Sequence, residues 1–235
     1  MRFLIEEEWE ADDIISYCQS NHYEYKVLSQ DEIAQLPHEE FMTYIPFCNT
    51  LSVQKNLRAV GLERLIPDTY CERFDKLYHR TITKIHSNDL SSIPFPYFVK
   101  SAGNNKVIDG TVINDENDVS DMWTTNDVTA SDDLDLYVCD IVKFASEYRL
   151  LVGNNTVYGC GFQKENSNTN IPSYFIDEIL TMSEGGFYCI DVGHITDGDR
   201  WAIVEINPPF SLDDCGIALN DYMQYAIDFW VHTKQ

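Results

Sequence analysis

Residues Phe187–Gly216 read FYCIDVGHITDGDRWAIVEINPPFSLDDCG, two apolar strands around a polar loop. Phe187–Val192 is the first strand, with the carboxylate of Asp191 near its end. Thr196, Asp197, Gly198 and Asp199 supply turn chemistry and predict a hairpin connection. Trp201–Ile206 is the second strand, with Glu205 near its end and Asn207 two residues beyond Glu205. Alternate strand residues point the same way, so Glu205 and Asn207 present their oxygens to one face. With the hairpin in register, Asp191 joins them from the neighbouring strand. Three oxygen-bearing side chains on two adjacent strands suit magnesium carrying phosphate oxygens. Pro208-Pro209 then stops the strand, because proline cannot donate to a ladder, and the strand ends on its most polar residues. Taken singly, each carboxylate also reads as a solvated strand-end cap. The combination is what points to a site at a sheet edge.

Working outward, the 235 residues hold one large domain or two small ones and can bury a real core. A formal net charge of -23 argues against nucleic acid and anionic membranes as partners, since both are held by clustered Lys and Arg. With only 16 Lys plus Arg in the chain, each basic residue inside a strand or motif is informative. The seven cysteines have neither CxxC pairing nor regular spacing, which fits buried thiols in a reducing compartment better than a disulfide framework. The start MRFLIEEEWEADD is too acidic for a signal peptide, and no run approaches the roughly 18 apolar residues of a membrane span. These readings predict a cytoplasmic protein.

Before the hairpin, the order is strand Arg2–Ile5, helix Glu10–Asn21, strand Tyr23–Leu28, helix Asp31–Leu36, strand Phe41–Pro46 and helix Leu51–Val60. It predicts a small α/β unit over residues 1–86. Ser87–Pro96 reads as the join to a second unit, 87–235. Arg80, in His79-Arg80-Thr81-Ile82, stands two residues before an apolar one and reads as an ordinary surface arginine. Tyr97–Lys100 is a strand closing on a lysine; Gly103-Asn104-Asn105 is a turn, and Lys106–Gly110 resumes with a second lysine. Two lysines so placed can surround one anion, although neither GxxxxGK[ST] nor GxGxxG is present. Asn114–Ser131 is polar and acidic, and its Trp123 is a core residue or the anchor of a lid. Leu134–Phe144 alternates as a strand. Arg149–Val152 and Thr156–Phe162 form a hairpin about Gly153-Asn154-Asn155. An arginine inside that apolar strand must either reach solvent or meet an anion, because a buried unpaired charge is costly. Glu147 is one candidate partner and a phosphate the other, the guanidinium fork being matched to phosphate oxygens. His194 reads as a surface histidine that could border the site. Pro172–Met182 and Leu219–Val231 read as amphipathic helices.

In order, YFVK, KVIDG, VCDIVKFASEYRLLVGNN and CIDVG…DGDRWAIVEINPPF resemble the ATP-grasp superfamily, and within it the small clade named for one arginine and two lysines. The resemblance covers about Arg80 to Trp230. It implies an α/β (α+β) ATP-grasp fold with antiparallel sheets behind a reduced N-terminal α/β domain. It also implies ATP and Mg2+ as cofactors. By matching position, Lys100 and Lys106 would contact ATP phosphates, and Val138-Cys139-Asp140 would be the hinge that reads adenine and approaches the ribose. Arg149 would reach the γ-phosphate, and Asp191, Glu205 and Asn207 would hold magnesium. The implied activity is carboxylate–amine (or thiol) ligation through an acyl phosphate, on small-molecule or peptide substrates. Glu205-Ile206-Asn207-Pro208 also resembles the ATP-grasp-like assembly chaperones of translation factors, which implies an alternative: an ATP-binding protein with a protein partner and no ligation. The sequence departs from the larger enzymes in its short KVIDG loop and in the PPF that follows Asn207.

Overall fold

The computed structural model describes residues 1–7, 11–103, 107–164, 170–210 and 213–233. The chain opens with β1 (Arg2–Glu6), α1 (Ala11–Ser20), β2 (Glu24–Leu28), α2 (Gln30–Gln35), α3 (His38–Phe41), β3 (Ile45–Phe47) and α4 (Thr50–Ala59). β1 pairs in parallel with both β2 and β3, giving the order β2-β1-β3. Parallel neighbours need a crossover, which α1 supplies between β1 and β2. Phe3, Leu4 and Ile5 are fully buried, as a central parallel strand covered on both faces requires. Ser29 starts α2 with a capping box: its Oγ accepts from Glu32 N–H, and its own N–H donates to Glu32 Oε2 at 2.8 Å. The strand expected at Phe41–Pro46 is confined to Ile45–Phe47, because Phe41 closes α3.

A second group of elements follows: α5 (Asp75–Tyr78), β4 (Ile82–His86), β5 (Tyr97–Ser101), β6 (Thr111–Ile113), α6 (Glu116–Thr125) and β7 (Asp135–Cys139). Its strands form an antiparallel sheet of order β4-β7-β5-β6. The third comprises β8 (Phe144–Gly153), β9 (Thr156–Lys164), α7 (Ser173–Ser183), β10 (Tyr188–Ile195), β11 (Arg200–Asn207) and α8 (Leu219–Thr233), with sheet order β11-β10-β8-β9. Among the described residues, no helix is long and apolar enough to cross a membrane.

Three expectations change here. The single strand expected over Leu134–Phe144 ends at Cys139. Asp140 N donates to Thr81 O at 3.1 Å and the Asp140 carboxylate accepts from Thr81 N at 2.9 Å, a reciprocal pair that halts the ladder. Residues 140–143 then link the two antiparallel sheets. The acidic stretch Asn114–Ser131 contains α6, started by Asp115, whose carboxylate accepts from the backbone N–H groups of Asn117 and Asp118. Val119, Met122 and Trp123, at helical spacing, pack on the core formed by Tyr97, Val99 and Ile113, so Trp123 is a partly buried packing residue. Finally, β4 pairs along its length with β7, so the join expected at 87–96 lies inside one sheet.

The N-terminal sheet is not packed apart from the rest. α8 lies against it and against β8 and β9 together: Tyr222 meets Phe47 edge-on at 5.9 Å between ring centroids, and Tyr225 meets Tyr158 at 5.4 Å and Phe187 at 5.7 Å. Burial of each such aromatic contributes about 1.5–3 kcal/mol, so α8 fastens the N-terminal unit to the third sheet.

Candidate active site

The strand ladder sets the site. Across β9, β8, β10 and β11, the residues Gly161, Arg149, Asp191 and Glu205 stand directly opposite one another in a single row. Cys189 faces Asn207 one step along, so Asn207 falls on the same face as Glu205 and Asp191. Gly161 has a steric reason: a Cβ there would lie 2.4 Å from the carbonyl oxygen of Cys215. The bare backbone lets the loop after Leu212 close over the row. Asp213 O then accepts from Arg149 Nη1 at 2.9 Å.

Arg149 is paired with Asp191 rather than with Glu147. Its Nε donates to Asp191 Oδ1 and its Nη2 to Asp191 Oδ2, both at 2.9 Å, in a fork with both side chains at least nine-tenths buried. Glu147 lies on the cleft wall nearby. Lys100, reaching across from β5, forms an ion pair with Glu205. Asn207 Nδ2 donates to Asp191 Oδ2 at 2.8 Å and to Glu205 Oε1 at 3.2 Å. Burial pushes the Glu205 carboxyl upward, but the Lys100 charge and hydrogen bond, the bond from Asn207 and the nearby Arg149 outweigh it and hold it below the ordinary value.

Glu205 stands where two lobes of one cleft meet, with Asp191 on the first lobe, Lys100 and Asn207 on the second, and Arg149 behind Asp191, lining neither. The first, of about 310 Å3, lies between the sheets and is lined by Tyr70, Arg80, Phe98, Ile141, Asp191 and Glu205 among others. The second, of about 230 Å3, is lined by Thr69, Lys100, Ser101, Ile108, Glu205 and Asn207 among others. Phe98 and Glu205 border both, so a long ligand can lie from the 140–142 linker to the Lys100 end.

The expected site residues are thus distributed as follows. Lys100, Arg149, Asp191, Glu205 and Asn207 converge. Lys106 lies outside the described residues. Val138 and Cys139 are buried in β7; Cys139 is paired with Ile82 on one side and Phe98 on the other, so that strand's backbone is committed to its ladders. Asp140 does line the cleft, with Ile141 and Val142 beyond it. His194 packs on Trp201 and bonds Asp199 through Nε2 at 2.7 Å, at the turn end of the hairpin and outside either cleft lobe. Arg80 is not a surface residue: it lines the cleft and donates to backbone carbonyls of β11. Its signal in the sequence was a basic residue opening an apolar strand of a strongly acidic protein. Tyr70 and Thr69 had no comparable signal.

The donor set at the row's end fits a hard divalent cation. It consists of two carboxylates and an amide whose nitrogen lies within 3.2 Å of an oxygen of each. Among the described residues there is no group of three His, Cys, Asp or Glu side chains that could hold a metal ion, so a third protein donor would be the Asn207 amide oxygen, presented by turning over the amide whose Nδ2 faces both carboxylates.

The family described as "ATP-grasp domain, R2K clade family 2" matches residues 77–225. No curated protein matches the sequence. Among solved structures, the chain is similar to the D-alanine–D-alanine ligase of Bacillus anthracis complexed with ATP, at TM-score 0.59 and 13% identity, covering 100% of this chain and 98% of that one. It is similar to an ATP-grasp RimK domain protein from Sphaerobacter thermophilus at TM-score 0.63 and 14% identity, with 97% and 98% covered. A third is the ATP-grasp ligase PsnB, complexed with a phosphomimetic variant of its minimal precursor, Mg and ADP, at TM-score 0.55 and 7% identity, with 100% and 98% covered. At such identities the likeness is one of fold.

Proposed function

The chain belongs to the ATP-grasp domain family, R2K clade family 2, and from that membership we propose that it is an ATP- and Mg2+-dependent ligase joining a carboxylate to an amine or thiol. The observation that supports this most is that Lys100, Asp191, Glu205 and Asn207 come together along the two adjoining cleft lobes, with Arg149 bonded to Asp191 from behind. We read the first lobe as the adenosine site, with the 140–142 linker at its wall, and the second as the phosphate end.

In this reading a substrate carboxylate oxygen attacks the γ-phosphorus and ADP leaves, giving an acyl phosphate. An amine nitrogen (or thiol sulfur) then attacks the acyl carbon, phosphate leaves, and the nucleophile's proton passes to solvent. Lys100 and Arg149 neutralise charge on the transferring phosphoryl oxygens, where positioning and electrostatics dominate the rate. Asp191, Glu205 and Asn207 would hold magnesium, which when bound supplies charge neutralisation of the β- and γ-phosphates. Asp213 O and the Asp191 carboxylate orient the Arg149 fork from two sides. The substrates are small-molecule or peptide carboxylates and amines. A cytoplasmic setting is part of the same proposal.

The test is calorimetric binding of ATP with magnesium to the wild type, Lys100→Ala and Glu205→Ala. Binding by the wild type and loss in both folded variants supports the placement. No binding of any nucleotide by the wild type overturns it. Phosphate release separates ligation from the chaperone alternative: a ligase releases phosphate only with its acyl and amine substrates present.

A further inference from the structure

β11 is the edge strand of its sheet, and it carries an irregularity. Asp191 faces Glu205, but the next residue of β10, Val192, faces Ile203, so Val204 is an extra residue: a β-bulge. Both Val204 and Glu205 therefore face the cleft in succession. In a regular strand the carbonyls of consecutive residues point to opposite edges. Here they do not. Arg80 Nη1 donates to Ile203 O at 2.8 Å and Nη2 donates to Val204 O at 2.5 Å, one guanidinium bonding two consecutive carbonyls that only a bulge turns the same way.

Arg80 is itself held. Its Nη1 also donates to Tyr78 O at 3.2 Å, and its guanidinium carbon lies 5.3 Å from the Tyr70 ring centroid and 5.8 Å from those of Tyr78 and Phe144. The adjacent Thr81 is locked to Asp140 through the reciprocal pair described above. Beyond the bulge, Ile206 N donates to Thr69 O at 2.9 Å, so the outer edge of β11 is covered on both sides of Glu205.

We propose that Arg80 is a positioning residue: by bonding the two carbonyls freed at Val204 it fixes the bulge that sets Glu205 opposite Asp191. A one-residue change of register would carry the Glu205 side chain to the other face of the sheet. Arg80 thus acts on the metal-side carboxylates through the backbone of β11. The inference rests on the reading of Asp191, Glu205 and Asn207 as magnesium ligands.

The experiment compares wild type, Arg80→Met and Arg80→Lys by two readouts. One is the Mg2+ titration of ATP binding, alongside ATP binding without the metal. The other is hydrogen exchange of β11 amides in the protein without nucleotide. Arg80→Met is expected to raise the Mg2+ half-saturation about tenfold or more, the loss of charged hydrogen bonds being of that order, and by a clearly larger factor than it weakens ATP binding without metal. Arg80→Lys, which keeps donors but not the fork, is expected to fall between, and it carries the test if Arg80→Met does not fold. Exchange is expected to quicken over residues 203–206 and not elsewhere. Equal loss of ATP binding with and without Mg2+ overturns the proposal in favour of a direct nucleotide contact, and an unchanged titration or exchange pattern overturns it outright. If the wild type binds no Mg2+·ATP, the ligase reading falls, and the exchange pattern alone decides for or against Arg80.

Discussion

Replacing Arg149 by methionine tests the site and the fold together. The Arg149 and Asp191 side chains are 9% and 3% exposed and joined by two parallel bonds of 2.9 Å. Methionine fills much of the same volume but removes both fork bonds from the buried Asp191 carboxylate, to which Asn207 Nδ2 still donates. Breaking one side of a buried pair costs about 3–5 kcal/mol. That is a large share of a typical stability of about 5–15 kcal/mol. At about 2–4 °C per kcal/mol for a chain of this size, the melting temperature falls by roughly 6–20 °C. Urea denaturation at pH 7, with thermal melts alongside, measures it. Adding Asp191→Leu removes the other half of the buried pair as well, and most of the lost stability is expected to return. Nucleotide binding is expected to be lost in the double variant, since both a proposed phosphate contact and a proposed metal ligand are gone. A single variant within about 1 kcal/mol of wild type would refute the argument, because a pair worth so little is a solvated one.

Other outcomes can be checked in parallel. Gly161→Ala drives a methyl into the Cys215 carbonyl and lifts the loop that supplies Asp213 O to Arg149; a loss of about 1–3 kcal/mol in urea denaturation and weakened ATP binding are expected. Glu205, whose folded-state pKa is held below 4.5, contributes stability that is fully present above that value and is lost as pH falls through the depressed one. The stability difference between wild type and Glu205→Gln should therefore be constant from pH 7 to 5 and shrink below pH 4.5, as followed by urea denaturation at each pH. Asp140→Ala breaks the bond from Thr81 N and loosens the linker between the sheets, and faster hydrogen exchange over residues 140–143 would register it.

What could be read from the sequence was whatever depends on near neighbours in the chain. Glu205 and Asn207 share a face because side chains alternate along any strand, and Pro208-Pro209 ends the strand wherever it lies. Arg149 stood out because a charge within an apolar run demands solvent or an anion whatever the fold. Its partner could not be read in the same way. Glu147 is two residues off on the same strand, yet Asp191, 42 positions along the chain, is brought opposite by the β8–β10 register. The acidic helix α6 escaped detection because its buried positions are few and its start depends on one carboxylate cap. The end of β7 is set by Thr81, 59 residues from Asp140, so the linker between the sheets begins at Asp140, the last residue of the expected hinge.

Strand periodicity and the polar strand ends were enough to place the β10–β11 hairpin and to set Glu205 and Asn207 on one face. Tertiary structure alone decided that Arg149 and Asp191 pair, that Lys100 reaches Glu205 across the cleft, and that Arg80 braces β11. It decided them because strand register and bulges are settled by hydrogen bonds between residues far apart in the chain, which local propensity does not encode.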